Sequence, residues 1–548
     1  MCAVIAVRKT PEMKRLFALA VLIVLFSCFN LPAYAMQSLE GDWIGGLDFG
    51  NSWEAVNLHL KSAGRDLTGT IDFPERGRMA VAINRVVVEN SRVHIDWKAE
   101  SGLANLNGQF KDDTITGEVE LGQTKANFGF VRVANVDAKI YEQYAGSYQL
   151  SHDRFVYVGI NNANELRFVD SKTGRTGSLY PSSETTFFLG STVDIPYPIE
   201  GRVEFVKKNG EVTGMTWSEN GAPAVSGKRI PHKQEVVTFQ NADATLTGTL
   251  FLPATTGAHP AVVMVYPGYS FPRRNSYFPY FLTQQNIAVL TLNGKTVAGK
   301  PADYQHSSFE ERARDALAGV KFLKTRPEID SKQIGLHGAS LSSWVVPLAS
   351  TLSADVAFII LRVGSAIPPP DNILYEIEND LRERNFSDDE IRKTIALRRL
   401  CNTTILSNSG WDTLKSEVEK TKNERWFGYA RVGWMLSLSL PLDNATLKGL
   451  QDPISYEPVA VLERVKVPVL TFNADLDKSV NTKVSLPIME KALRKSGNKD
   501  ITIVLFRNAS HDLMDAKTGY NSEWVRLERF TPGYWDTMAA WLKKHTGM

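Results

Sequence analysis

Over residues 37–231 of the chain, apolar and polar residues alternate in short runs. Ala55-Val56-Asn57-Leu58-His59-Leu60 is one, Val93-His94-Ile95-Asp96-Trp97 another, and Thr114-Ile115-Thr116-Gly117-Glu118-Val119 a third. A period of two puts one set of side chains on a buried face and the other in water, which is strand behaviour. Gly, Asn and Asp separate the runs at turn-like intervals. The pattern predicts an all-β region of one or two small barrels or sandwiches. A faint internal repeat divides it. Gly41-Asp42-Trp43 opens one unit and Gly146-Ser147-Tyr148 opens another, and each unit ends in a glycine-containing strand with an arginine, Phe128–Arg132 and Val225–Arg229. Two β units follow, 37–135 and 136–231, with Trp43 and Tyr148 as core aromatics.

From residue 234 the period changes. Strands are predicted at 235–239, 245–252, 261–265, 287–292, 334–336, 356–361, 467–472 and 501–506. Amphipathic helices are predicted near 308–324, from 341, and at 482–495 and 532–545. Apolar strands alternating with such helices imply a mostly parallel sheet covered on both faces, spanning 234–548. Residues 366–455 interrupt the alternation with a helical insert rich in tryptophan: Trp411, Trp426 and Trp434. One of its helices has a readable start, where Ser387 can cap, Glu390 can bond back and Phe386 can pack on Ile391. An insert after a mid-sheet strand is placed to cover the strand ends, where sites form in open α/β sheets.

Composition narrows the class. A chain of 548 residues is too long for one compact domain. The net charge of +2 comes from mixed signs, so there is no nucleic-acid footprint. Lys14 and Arg15 precede an apolar run, Leu16 to Phe26, and Ala33-Tyr34-Ala35 supplies a small-residue cleavage site. Residues 1–35 therefore read as an export signal too short to span a bilayer, with Met13-Lys14-Arg15 as an alternative start. A lipoprotein signal through Cys28 is the minor alternative, since Phe26 fits that box poorly. Removing the signal takes Cys2 and Cys28 with it and leaves Cys401, so the mature monomer has no internal disulfide. The expected location is periplasmic or secreted.

The candidate chemistry begins at Ile334-Gly335-Leu336-His337-Gly338-Ala339-Ser340-Leu341-Ser342, which runs from strand to helix. A serine on such a turn exposes its hydroxyl above the sheet and has its neighbour's N–H at a helix N-terminus. Serine hydroxyls are weak nucleophiles and need a base oriented by a carboxylate. The strand ending at Phe472 runs into Asp475 and Asp477, and the strand ending at Phe506 runs into His511. Ser340, an aspartate and His511 thus follow three of these strands in chain order. An oxyanion would need two backbone donors, each worth about 3 kcal/mol. Leu341 can supply one, and Gly268 or Tyr269 the other, since Pro267 has no N–H.

Residues 235–548 resemble the α/β-hydrolase superfamily, in its exported esterase and dienelactone-hydrolase-like branch. The resemblance is carried by Phe309-Glu310, Asp315-Ala316-Leu317, Arg326-Pro327-Glu328-Ile329-Asp330, the elbow with Trp344 and Pro347-Leu348-Ala349, the acid and base loops, and a cap segment, Ser387–Leu400. It implies an α/β-hydrolase fold with a helical cap. The superfamily's Gly-x-x-Asp-x-x-Val aligns with Ala474–Val480, which makes Asp477 the acid and leaves Asp475 and Asp512 as surface turn residues. The implied activity is a serine carboxylesterase acting on a small ester or acyl substrate, with no metal or cofactor. Two departures stand out: Tyr266-Pro267 replaces the usual His-Gly, and Ser342-Ser343 the usual Gly-Gly. A peptidase or acyltransferase with the same triad is an alternative, although under 200 residues of β structure is too short for a seven-bladed propeller. A non-catalytic binding protein on the same scaffold is another.

Overall fold

A computed structural model of the protein describes residues 39–547, apart from 51, 65, 101, 162, 220, 267–276, 303–306 and 438–439. The stretch read as an export signal, including Cys28, lies outside the described residues, and so do Pro267, Gly268 and Tyr269.

The β region forms two closed eight-stranded antiparallel barrels. In the first, strand Gly41–Asp48 closes against Thr124–Val133, with Asp42 opposite Val133. In the second, Gly146–Ser151 closes against Val225–Ile230, with Ser147 opposite Ile230. Closure leaves no exposed sheet edge. The alternating apolar residues fill the interiors: Trp43, Trp97 and Phe130 in one, Tyr148, Phe168 and Trp217 in the other, all nearly inaccessible.

The repeat noted in the sequence has a physical basis. Gly41 and Gly146 have φ of 135° and 154°, a region that favours glycine. A Cβ on Gly41 would lie 3.1 Å from the Arg132 guanidinium, and one on Gly146 would lie 3.2 Å from that of Arg229. In each barrel the closing arginine lies over the opening glycine. Arg132 also sits 4.3 Å from the Trp43 ring centre, within cation–π range.

The remainder is built on one sheet. Its strands are β1 (His232–Asn241), β2 (Ala244–Pro253), β3 (His259–Val265), β4 (Ala288–Val297), β5 (Ile329–Ala339), β6 (Ile359–Arg362), β7 (Val469–Ala474) and β8 (Ile501–Phe506). The spatial order is β1-β2-β4-β3-β5-β6-β7-β8, and the short strand Lys300–Pro301 pairs with β4. β1 with β2 and β2 with β4 are antiparallel. Every pair from β4-β3 through β7-β8 is parallel. Strands such as β3 and β6 are buried along their whole length, as expected for strands covered on both faces.

One face carries α1 (Tyr277–Gln284). The opposite face carries α2 (Phe309–Leu323) and α3 (Ser342–Leu352). The insert supplies α4 (Pro369–Glu383), α5 (Asp388–Ser407), α6 (Trp411–Thr421) and α7 (Asn444–Ile454), with a separate core that includes Ile377, Cys401 and Trp426. Short α8 (Pro458–Leu462) leads back to β7, α9 (Thr482–Lys495) joins β7 to β8, and α10 (Tyr534–Thr546) lies on the α1 face. Ser387 and Glu390 form the reciprocal capping box read from the sequence, and Ser308 and Glu311 form a second; such caps contribute about 1 kcal/mol each.

The second barrel packs on the α1 and α10 face. Tyr157 meets Phe281 edge-on at 5.8 Å, and Ser147 Oγ donates to the Tyr280 carbonyl at 3.1 Å. No described helix is long and apolar enough to cross a membrane.

Candidate active site

Ser340 ends the turn between β5 and α3. Its φ is 52°, a left-handed value that costs a side-chain-bearing residue energy. Neighbouring strands hold it there: the Ser340 N–H donates to the Arg362 carbonyl at the end of β6, at 2.9 Å. The sharp turn depends on Gly338, where a Cβ would lie 2.6 Å from the Ser342 carbonyl oxygen and 2.7 Å from Val346. Of the departures Ser342 and Ser343, the second is hydrogen-bonded and the first keeps a buried hydroxyl without a partner. Both are buried, and Ser343 Oγ donates to the carbonyls of Gly338 and Arg362, at 3.2 and 3.3 Å. Leu341 stands at the N-terminal end of α3 with helical torsions.

His511 and Asp477 arrive from the loops after β8 and β7. His511 Nε2 lies 3.1 Å from Ser340 Oγ, and His511 Nδ1 lies 2.8 Å from Asp477 Oδ2. The Asp477 carboxylate is inaccessible to solvent. Its other oxygen, Oδ1, accepts the N–H groups of Ser479 and Val480 at 2.8 and 2.7 Å. That Asx-type turn orients the carboxylate from its own loop. Burial of His511 favours the neutral imidazole, but the charge and hydrogen bond of Asp477 outweigh it and hold the imidazole above its ordinary proton affinity. Asp512 adds to that effect and Arg362 opposes it.

Ser340, Asp477 and His511 are thus brought together, in the order and on the loops anticipated. Gly268 and Tyr269 lie outside the described residues. Asp475 and Asp512 both stand in turns with solvent-accessible side chains. Asp475 Oδ1 also accepts the Ala509 N–H at 3.2 Å, which ties its loop to that of His511. The Asp512 backbone carbonyl accepts a hydrogen bond from Arg362 Nη2 at 2.7 Å.

Several residues with structural influence on the site were not anticipated. Arg362 is buried, and its cation lies 5.5 Å from the Phe278 ring centre. It joins the serine turn through its carbonyl to the histidine loop through its guanidinium. Val363 beside it has φ of 47°, rare for a β-branched residue. Helix α4 of the insert grips the acid loop. Tyr375 donates to the Asp477 carbonyl at 3.0 Å, Asn379 to that of Lys478 at 3.1 Å, and Asn372 to that of Ser479 at 2.9 Å. His337, under the serine turn, is kept neutral by burial, which pushes its pKa down to about 3. No group of metal-ligating side chains occurs among the described residues.

No protein-family model matches the chain. It is 29% identical over 163 residues to the thiohydrolase apmlB of Arthrinium phaeospermum, a match covering 29% of this chain and 50% of that protein. It is 23% identical over 355 residues to the esterase EstD of Thermotoga maritima, covering 62% of this chain and 75% of that protein. Among solved structures it overlaps the α/β hydrolase GrgF of a Penicillium species with a TM-score of 0.35 and 15% identity, over 58% of this chain and all of that one. The chain thus spans half the length of the first of these curated relatives.

Proposed function

We propose that the chain is an exported serine hydrolase of the α/β-hydrolase type that cleaves carboxylic esters through an acyl-enzyme on Ser340. The observation that carries this reading is the continuous relay from Asp477 through His511 to Ser340, at 2.8 and 3.1 Å. Hydrolase activity is further supported by both curated relatives, one an esterase and one a thiohydrolase. Export is proposed from Lys14-Arg15, the apolar run after them and Ala33-Tyr34-Ala35.

In this mechanism Asp477 keeps the His511 proton on Nδ1, so that Nε2 faces Ser340 as an acceptor. Nε2 takes the hydroxyl proton as Oγ attacks the ester carbonyl, and the imidazolium is stabilised by the buried carboxylate. The oxyanion is held by the Leu341 N–H with a second donor from the loop of Gly268 and Tyr269. The imidazolium then protonates the leaving alcohol. Water, deprotonated by His511, releases the acid and restores Ser340.

The test is hydrolysis of short p-nitrophenyl esters and thioesters, together with labelling by a fluorophosphonate probe. Wild-type protein should turn over and label on Ser340; Ser340→Ala should do neither and should keep its thermal midpoint. Unchanged turnover in that variant would overturn the assignment. A folded wild-type protein that neither labels nor turns over would point to a binding protein on a hydrolase scaffold.

A further inference from the structure

Between His511 and α10 the chain is built of isolated bridges and the 3-10 segment Asn521–Arg526. Such a stretch cannot satisfy all its own backbone groups and must find partners for them. Residues 513–515 turn back on 529–531. Thr531 N–H and Oγ1 donate to the Leu513 carbonyl at 2.8 and 3.0 Å, and Asp515 N–H donates to the Arg529 carbonyl at 3.0 Å. Met514 and Phe530 form an antiparallel bridge. On the inner side, Leu513 N–H donates to the Ser510 carbonyl and Ser510 N–H to the Met514 carbonyl, both at 2.9 Å. His511 and Asp512 stand at the tip of that small turn.

The outer side of 527–530 is paired with the second barrel. Thr176 N–H donates to the Glu528 carbonyl at 2.9 Å, Val193 N–H to that of Leu527 at 2.7 Å, and Phe530 N–H to that of Gly174 at 2.8 Å. Arg175 and Arg529 form an antiparallel bridge, and Trp524 Nε1 donates to Asp194 Oδ2 at 2.8 Å. The barrel can offer this edge because strand Thr176–Pro181 meets its next neighbour only from Leu179 onward. Barrel edge, ribbon 527–531, turn 510–515 and His511 are thus continuous in main-chain hydrogen bonds.

This continuity bears on the base. A catalytic group must be held within about 0.5 Å of its productive place. The Arg362 guanidinium holds the tip of the turn through the Asp512 carbonyl, and the ribbon holds its outer side. Leu513, at a left-handed φ of 58°, persists only where surrounding bonds over-determine it, and Thr531 supplies two of them. The same segment reaches the acid loop: at Gly519, φ 74°, a Cβ would collide with the carbonyl of Leu476, the residue before Asp477. On the barrel side the joint depends on Gly174. Its φ is 71°, and a Cβ there would lie 2.8 Å from the Phe530 carbonyl oxygen.

We propose that the second barrel is a positioning element for the base: its edge at Gly174–Thr176, through the ribbon 527–531, sets where the His511 ring stands between Asp477 and Ser340. The inference rests on the reading of these three residues as a catalytic triad. The test compares two glycines of the same barrel in the full chain. Asn tolerates left-handed torsions, so Gly174→Asn keeps the backbone and adds the Cβ that meets Phe530. Gly210, in the turn between Gly201–Lys208 and Glu211–Glu219, has φ of 86° and open space around it, so Gly210→Asn is the matched control. On p-nitrophenyl acetate, Gly174→Asn should lower kcat about tenfold or more with KM within about twofold, and Gly210→Asn should change neither. The His511 Nδ1–H proton resonance, assigned by its loss in His511→Gln, should move in Gly174→Asn and stay in Gly210→Asn. Trp524→Phe removes one tie and adds no atom, and it should move the resonance in the same direction. That resonance reports the Asp477–His511 bond whether or not an ester is turned over, so failure of the ester reading and failure of this proposal are told apart. Equal effects of the two Asn variants, or a resonance unmoved in both Gly174→Asn and Trp524→Phe, would overturn the proposal.

Discussion

Replacing Asp477 by Asn tests the relay at its most constrained point. The carboxylate uses its oxygens differently: Oδ1 accepts two backbone N–H groups and Oδ2 faces His511 Nδ1. An asparagine in this buried position must therefore put its carbonyl where Oδ1 was. Flipping the amide would leave two buried N–H groups facing an NH2, at about 1–3 kcal/mol each. With the carbonyl so pinned, the NH2 points at His511 Nδ1 and makes that nitrogen an acceptor. The ring proton then moves to Nε2, which faces Ser340 Oγ and can no longer take its proton. The expected loss in kcat/KM on p-nitrophenyl acetate is about ten-thousand-fold, or about 5 kcal/mol of transition-state stabilisation. Fluorophosphonate labelling should slow in parallel, and the thermal midpoint should change little, because size and two of the three hydrogen bonds are kept. Asp475→Asn is the control: its carbonyl can still accept from Ala509, so kcat/KM should stay within about threefold. A loss below tenfold in folded Asp477→Asn would refute the reasoning, and a large loss in Asp475→Asn would move the acid to that residue.

Further predictions concern the surroundings of the triad. The general base must be neutral, and Asp477 raises His511 above its ordinary proton affinity, so activity falls as pH drops through a midpoint above 6.5; a kcat/KM profile with a midpoint at or below 6.5 contradicts this. Arg362→Met removes a cation that opposes His511 protonation, so the acid limb should move to higher pH, whereas Arg362→Lys should move it less; superimposable profiles would show that the charge is not felt at His511. Gly338→Ala should abolish labelling or reduce soluble yield, because its Cβ meets backbone at 2.6 Å, and near-normal activity would show that the turn can relax.

How much of this was legible in the sequence depends on what kind of atom makes each contact. Ser340, Asp477 and His511 were legible as candidates because each follows a strand with a strong apolar signature, and strand ends are where a parallel sheet gathers side chains. The bond that Asp475 accepts from the Ala509 N–H was not legible, because no sequence pattern marks a backbone partner. The same blindness hid Tyr375, Asn379 and Asn372, all of which bond carbonyls about a hundred residues away. The β region was legible as strands, since a period of two survives in any antiparallel arrangement. Closure was not: the pair Asp42 and Val133 that seals the first barrel is set by how twist accumulates over the strands between them. Contact between the barrels was equally invisible. It shows at Gly129, where a Cβ would lie 2.5 Å from the Tyr197 ring.

Arg362 joins the loop that carries Ser340 to the loop that carries His511. Residues without glycine's freedom have positive φ near the site, among them Ser340 at 52°, Val363 at 47° and Leu513 at 58°. Such residues cost about 1–3 kcal/mol each and persist only where surrounding bonds over-determine them. Those bonds converge on one place. Ser340 N–H is held by the Arg362 carbonyl, and Val363 N–H by the Phe472 carbonyl at 2.8 Å, on the strand that leads to Asp477. Leu513 follows Asp512, whose carbonyl the Arg362 guanidinium holds at 2.7 Å. The end of β6 thus carries the serine turn on its backbone, the histidine loop on its side chain and the acid strand as its neighbour. A substitution that moved this strand end would displace all three loops together. The 3.1 Å approach of His511 to Ser340 is therefore a property of the sheet as much as of the triad residues.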